Sequence, residues 1–477
     1  MAPTFAASSP FRSFFLLRGL GWLLLLLGLA ALLGLGCNSY SRATPDEEEL
    51  TQGWQPKAPT LSELQARLKV LVKDSLEASL ISLSPDGIRV YANADQQEAD
   101  SPEVIVYAHE YLAMGRMLSE VPADSMVRRY LKKGSDSIRT YWLQRAQLPP
   151  RQLPPRLAHP ERPLQGWRIA VDPGHISGSL AEAEVEGKFV KMRPSAATQG
   201  QGIGFWEADL TLATAYLVRD ELKALGAEVI LTRGSPGLSV QGKSFAAWKA
   251  DHWPQAARDS AEAWEMTPYQ LNFWLNRAED KAIFRSFYNA EDLRRRAELI
   301  NLFRPHCTLI IHYNVHGPNW ELRDEENYMP PADTNYLMAF VPGSFLAGEL
   351  ETAEDRAHVL RLLLTDDWRE SYRLGQAWVR RSQQHTAVPP VPVENGLAYL
   401  NRSSVYVGEP GLYARNLTLT RLVRGPLVYG ESLNQDYLGE ALRLNQRDTV
   451  VHDILVSKRV QDVADAYVDA VLDFAGR

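Results

Sequence analysis

The period of the apolar positions changes along the chain. From Leu20 to Leu35 every residue is Leu, Ala or Gly apart from Trp22. Leu61, Leu64, Leu68, Leu71 and Val72 then fall at helical spacing. ISLSPDGIRVYAN reads as two short strands about an Asp-Gly turn. Further helical stretches are predicted near 103–119 and 123–145. From Gly166 the pattern alternates. WRIAVDPGH is an apolar strand entering a Gly/Pro turn, and 207–225 is an amphipathic helix. AEVILTR is a second strand, LRRRAELINLF a helix, CTLIIHYN a third strand and NYLMAFV a fourth. A long helix over 354–385, a fifth strand in GPLVYGE and a helix over 459–474 complete the chain. Strands alternating with helices predict an α/β fold with a mostly parallel sheet flanked by helices. A small N-terminal α or α+β module over 59–147 is expected to precede it, with 166–477 as the main domain. His109, alone in that module, is read as a solvated or core residue.

The first apolar run has Arg12 and Arg18 before it and no acid among residues 1–19. It is slightly short for a bilayer of about 30 Å. A basic start, an apolar core and small residues make 1–36 a signal peptide. The run ends Gly34-Leu35-Gly36-Cys37. This resembles a bacterial lipoprotein cleavage site, with Cys37 as the lipidated new N-terminus. Ordinary secretory cleavage and an uncleaved anchor are the alternatives. Residues 37–58 are polar and acidic, a flexible tether, and the Pro-rich segment 148–165 is a stiff linker. The expected location is outside the cytoplasm, on a membrane through the lipid anchor. Asn38 after Cys37 favours the outer membrane.

Composition narrows the chemistry. Of 477 residues, 51 are Lys or Arg and 58 are Asp or Glu, a net charge of −7 that gives no support to a nucleic-acid-binding surface. Two cysteines exclude a disulfide scaffold and a Cys-based zinc finger, so a metal site must use His and carboxylates. Cys307, in an apolar run, is expected to be buried. Functional residues of α/β sheets gather at the carboxyl ends of strands. His175, His312 and Glu431 stand at such ends, and Glu207 opens the first helix. Two His and one Glu with an open fourth position match hydrolytic zinc sites, and a further carboxylate can move protons.

The same residues carry a family resemblance. The chain resembles the zinc-dependent N-acetylmuramoyl-L-alanine amidases of the type 3 class. VDPGH (171–175) is similar to the family's DPGH, FWEADL to the start of its first helix, IIHYN (310–314) to its SIHAN, and the Glu431 segment GPLVYGESLN to its late Glu motif. The order is the family's, over roughly 166–476. The resemblance implies an amidase/phosphorylase-like fold and a Zn2+ ion on His175, Glu207 and His312. It also implies Glu431 as the catalytic carboxylate, peptidoglycan as substrate and a regulatory protein partner. Several features depart from the family: GHIS stands for GHGG, His175 and Glu207 are far apart, Ala208 follows Glu207 where Lys is common, and Ser432-Leu433-Asn434 replace the late Gly-Phe pair. Residues 234–290 form an enlarged insertion with Trp248, Trp253, Trp264 and Trp274.

Each assignment has a plainer counterpart. Asp172 either orients an imidazole or makes an Asx turn with Pro173. Asn314 either contacts substrate or holds backbone. His316 is read as solvated or facing substrate, and Arg296 as structural. Glu207 alone would suit a helix first turn, and Glu431 a solvated strand end. The tryptophans form a small helical core or, less simply, a groove for glycan. Either insertion, 178–206 or 234–290, can occlude the site as in regulated family members. The expected activity is hydrolysis of the amide between N-acetylmuramic acid and L-alanine. The rival readings are a zinc hydrolase of another amide or peptide, and a wall-binding lipoprotein without turnover.

Overall fold

A computed structural model describes residues 57–120, 161–316 and 322–476. The segment read as a signal peptide (1–36), Cys37, nearly all of the segment read as a tether, the helix read at 123–145 and most of the Pro-rich segment 148–165 lie outside these residues. Among the described residues no helix is long and apolar enough to cross a membrane.

The chain opens with α1 (Leu61–Leu71), started by a capping box between Thr60 and Glu63. Strands β1 (Ile81–Ser84), β2 (Gly87–Val90) and β3 (Val104–Tyr107) follow as an antiparallel sheet in that order. The expected Asp-Gly hairpin is therefore present. The start of the helix read at 103–119 is instead strand, because Val104-Ile105-Val106-Tyr107 is β-branched and aromatic with alternating burial. Helix α2 (Tyr111–Glu120) comes after it.

The main sheet has seven strands in the order β10-β11-β9-β12-β8-β4-β7. These strands are β4 (Arg168–Pro173), β7 (Glu228–Leu231), β8 (Cys307–Asn314), β9 (Met338–Val341), β10 (Ser404–Tyr406), β11 (Leu412–Arg415) and β12 (Leu427–Asn434). Pairs β4/β7, β4/β8, β12/β8 and β11/β9 are parallel, while β12/β9 and β10/β11 are antiparallel. The expected mostly parallel sheet holds, widened by β10 and β11, which the apolar pattern did not mark. A hairpin of β5 (Phe189–Met192) and β6 (Ile203–Trp206) and a second of β13 (Thr449–Val451) and β14 (Ile454–Val456) also went unmarked.

The central strands are apolar on both faces because helices cover both. On one face Ile169, Val171, Leu309, Ile311 and Val428 share a core with α4 (Glu207–Ala224), α10 (Asp367–Thr386) and α11 (Arg459–Gly476). Helix α3 (Leu180–Glu186) precedes β5. On the other face Ala170, Ile310 and Leu427 meet Ala297 and Ile300 of α8 (Asn289–Phe303). Cys307 is fully buried, as its apolar setting implied.

The long helix read at 354–385 is two, α9 (Ala353–Leu364) and α10. The break has a polar cause. Thr365 is extended, and the Arg67 guanidinium donates to the carbonyls of Leu363 and Thr365 at 2.7 Å each, taking up orphan helix-end acceptors. Helix α9 also packs its apolar side on α1, α2 and the three-stranded sheet, with Leu64, Ile88, Val106, Met114, Leu360 and Leu363 in one core.

Insertion 234–290 is helical, with α5 (Phe245–His252), α6 (Gln255–Ala263) and α7 (Pro268–Asn276) before a π-helical turn at Phe284–Tyr288. Its aromatic core contains Trp248, Phe284, Phe287 and Tyr288, joined by Ile176. Ile176, which stands where the family has Gly, is buried in this core.

Candidate metal centre

Strand β4 runs to Pro173, and Gly174 N–H donates to the Ile311 carbonyl at 2.9 Å, so the turn beyond it lies against β8. Gly174 is required there. A Cβ at that position would lie 2.2–2.6 Å from three ring atoms of His312. His175 follows with a left-handed φ of 61°, an uncommon conformation outside glycine, and one that clusters at functional sites.

Two buried arginines hold this turn. Arg296 donates to the carbonyls of Pro173 at 2.8 Å and His175 at 3.0 Å. Arg233 donates to Gly174 O at 2.9 Å and to Ala208 O at 2.8 Å, tying the turn to the start of α4. Arg296 thus has the structural role expected of it, aimed at the backbone of the candidate residues themselves.

Three side chains far apart in sequence meet above the turn. Glu207 opens α4, and His312 lies near the carboxyl end of β8. His175 Nε2 lies 3.0 Å from Glu207 Oε1 and 3.1 Å from His312 Nδ1, and His312 Nδ1 lies 3.1 Å from Glu207 Oε1. All three are largely buried. Glu207 also accepts from Tyr313 N–H at 3.0 Å and from Gln435 Nε2 at 3.1 Å, which fixes its carboxylate. The His312 ring stacks on Tyr429, centroids 4.4 Å apart and 8° from parallel.

This donor set fits a dication. Ligands about 2.0–2.1 Å from a tetrahedral ion stand roughly 3.3 Å from one another, close to the three separations found. Two imidazole nitrogens and a carboxylate oxygen are the usual borderline donors for zinc. Among the described residues, His175, Glu207 and His312 are the group of His, Cys, Asp and Glu placed to hold a metal.

Electrostatics agrees with the geometry. Burial lowers the His312 imidazole to about 4, so it is neutral and has a lone pair to offer. Burial also opposes charge on His175, but the carboxylates of Glu207 and Glu186 outweigh it and leave that ring raised. Burial opposes ionisation of Glu207 too, yet His175 and Lys188 hold its carboxyl well below the usual range. Glu431 is the contrasting acid. It is half-buried and stands directly opposite His312 across the β12/β8 ladder, where burial and then Glu207 push its carboxyl up to about 7. Strand β12 continues past it to Asn434 through a register shift.

Asp172, Asn314 and His316 have other partners. Asp172 is fully buried, takes the Thr232 hydroxyl and lies 3.5 Å from Arg296 Nη1. Both contacts are made by Asp172 Oδ1. Asn314 donates to Asn434 Oδ1 at 2.6 Å. His316 donates its backbone N–H to Asp436 and meets Tyr336 edge-on. His109 stacks on Tyr107 in the N-terminal sheet region, centroids 5.9 Å apart.

Sequence reasoning missed Glu186, which lies 3.0 Å from His175 Nδ1. A signal was present. Glu186 is the last residue of α3, just before the left-handed Gly187. An acid at a helix C-terminus opposes the helix dipole, and such a misplacement asks for a compensating partner elsewhere.

No protein-family model matches the chain, and no curated protein matches its sequence. Solved structures similar to it include three N-acetylmuramoyl-L-alanine amidases. Ami1 from Mycobacterium smegmatis is 16% identical with a TM-score of 0.34, over 66% of this chain and 98% of that one. CwlD from Clostridioides difficile, solved in complex with the GerS lipoprotein, is 14% identical with a TM-score of 0.34, over 65% and 98%. AmiC2 of Nostoc punctiforme is 12% identical with a TM-score of 0.33, over 65% and 98%. At such values the function must be read from the site itself.

Proposed function

We propose that this chain is a zinc-dependent peptidoglycan hydrolase that cleaves the amide between N-acetylmuramic acid and L-alanine. The observation that carries the reading is the convergence of His175, Glu207 and His312 on one point at the sheet's carboxyl edge, with Glu431 on the neighbouring strand. These three residues would hold the ion. When bound, zinc supplies Lewis acidity to the scissile carbonyl and to water.

The remaining work falls to the chain. Glu431 takes the proton from water and returns it to the amide nitrogen as the bond breaks. A carboxyl raised toward neutrality suits both halves of that exchange. Tyr429 backs the His312 ring, and Gln435 and the Tyr313 amide keep the Glu207 carboxylate aimed. Export with a lipid on Cys37 would bring this site to the wall, and a regulatory protein partner belongs to the same reading.

Digestion of purified wall with the zinc-loaded chain tests the reading. Mass analysis should find new N-terminal L-alanine and intact glycan strands. A second reading is favoured by the seating of Ile176 in the aromatic insertion core beside His175. In it the same centre cleaves another amide or peptide, and products cut within the peptide stem with no new L-alanine terminus would select it.

A further inference from the structure

We propose that Glu186 is a positioning residue for His175, an assignment that rests on the metal reading above and adds a residue to it. Glu186 accepts the Nδ1–H of His175 and so fixes the tautomer whose Nε2 lone pair faces Glu207 and His312.

The geometry is specific. Glu186 Oε1 lies 3.0 Å from His175 Nδ1, while Oε2 accepts from the backbone N–H groups of Ile176 at 3.2 Å and Ser177 at 3.1 Å and from the Ser177 hydroxyl. Its side chain is only 3% exposed. An ionised carboxylate accepts and cannot donate, so with Nε2 on the ion the one ring proton sits on Nδ1, facing Glu186. The other nitrogen, 3.0 Å from Glu207 Oε1 and 3.1 Å from His312 Nδ1, is then the one left to bind. Carboxylates in this relation to a ligating imidazole fix the ring and raise its basicity. Asp172, the sequence candidate for this task, is occupied by Thr232 and Arg296.

The segment between the two candidate ligands has a purpose in this view. Residues 178–206 leave the His175 turn, form α3 with Glu186 at its end, and return through the β5/β6 hairpin to Glu207. The Glu207 N–H donates to the Lys188 carbonyl at 3.2 Å, so the stretch that delivers Glu186 also abuts the start of α4. One excursion of the chain sets the orientation of one ligand and the location of the next.

The experiment measures the zinc dissociation constant by chelator competition for the full exported chain and for E186Q, S177A and H312A. E186Q is expected to bind zinc about 10–100-fold more weakly, the usual cost of losing such a partner, while S177A stays near the parent value. In the zinc-loaded parent chain, long-range 1H–15N correlations should show the His175 ring protonated on Nδ1 and metal-bound through Nε2. That measurement needs no variant to fold. E186Q binding as tightly as the parent, an equal loss in S177A, or an Nε2-protonated ring would overturn the assignment of Glu186. If those results came with zinc binding lost in H312A, the metal centre would stand and only Glu186 would fall. A parent chain that takes up no zinc would remove both.

Discussion

Two buried polar clusters sit one above the other at the end of β4, and they are built on opposite principles. In the lower cluster charges meet their opposites: Arg296 lies 2.5 Å from Asp292 and 3.5 Å from Asp172, and Arg233 is spent on three carbonyls. In the upper cluster potential metal ligands meet one another. His175 Nε2, His312 Nδ1 and Glu207 Oε1 turn toward one another within 3.1 Å. The lower arrangement is a structural device, because its arginines bind the carbonyls of the turn itself. The upper one is two imidazoles and a carboxylate spaced as ligands of a single dication. The contrast separates a polar network that holds backbone from one whose donor set suits a metal, though the two share a turn.

The largest expected effect tests the acid beside the upper cluster. E431Q should reduce turnover by about 10^2–10^4-fold, the range for loss of a general acid–base group, with zinc still bound. Burial and Glu207 raise the parent carboxyl to about 7, and a base works deprotonated. The parent rate should therefore fall as pH drops through an acid limb near or below 7, since a bound dication pulls the carboxyl down. A pH–rate profile of E431Q should lack that limb.

Next comes the lower cluster. R296A strands Asp292 and Asp172 and frees the carbonyls of Pro173 and His175. Breaking a buried pair of this kind costs about 3–5 kcal/mol, to be read from urea unfolding of metal-free protein. H312A should cost the metal-free protein less than R296A, because it breaks no buried arginine–carboxylate pair and loses mainly the ring's stacking on Tyr429.

The smallest effect joins the two. Zinc at a hundredfold excess over its dissociation constant should stabilise the parent by about 2.7 kcal/mol. H312A should lose that increment and R296A should retain part of it, both measured by thermal unfolding with and without zinc.

The sequence revealed the central strands and helices because buried parallel strands are long apolar runs. It also singled out His175, Glu207, His312 and Glu431 as candidates; the first three come together in space, while Glu431 stands inside β12 opposite His312 and not at the strand end where the pattern put it. What it hid was short or cross-chain. Strands β10 and β11 are three and four residues long, too brief for a period to register. The break between α9 and α10 depends on Arg67, about 300 residues away in sequence. Glu186 is similar: its role exists only once α3 is folded back on the His175 turn. Ile176 is apolar because it packs in the aromatic core of the helical insertion, a contact made only in the folded chain.

Anomalous diffraction at the zinc edge from zinc-soaked crystals tests the central claim most directly. The account predicts a peak bounded by His175 Nε2, Glu207 Oε1 and His312 Nδ1, each about 2.0–2.2 Å from the ion. A saturating soak that leaves this point without anomalous density, or that places zinc elsewhere on the chain, would contradict it.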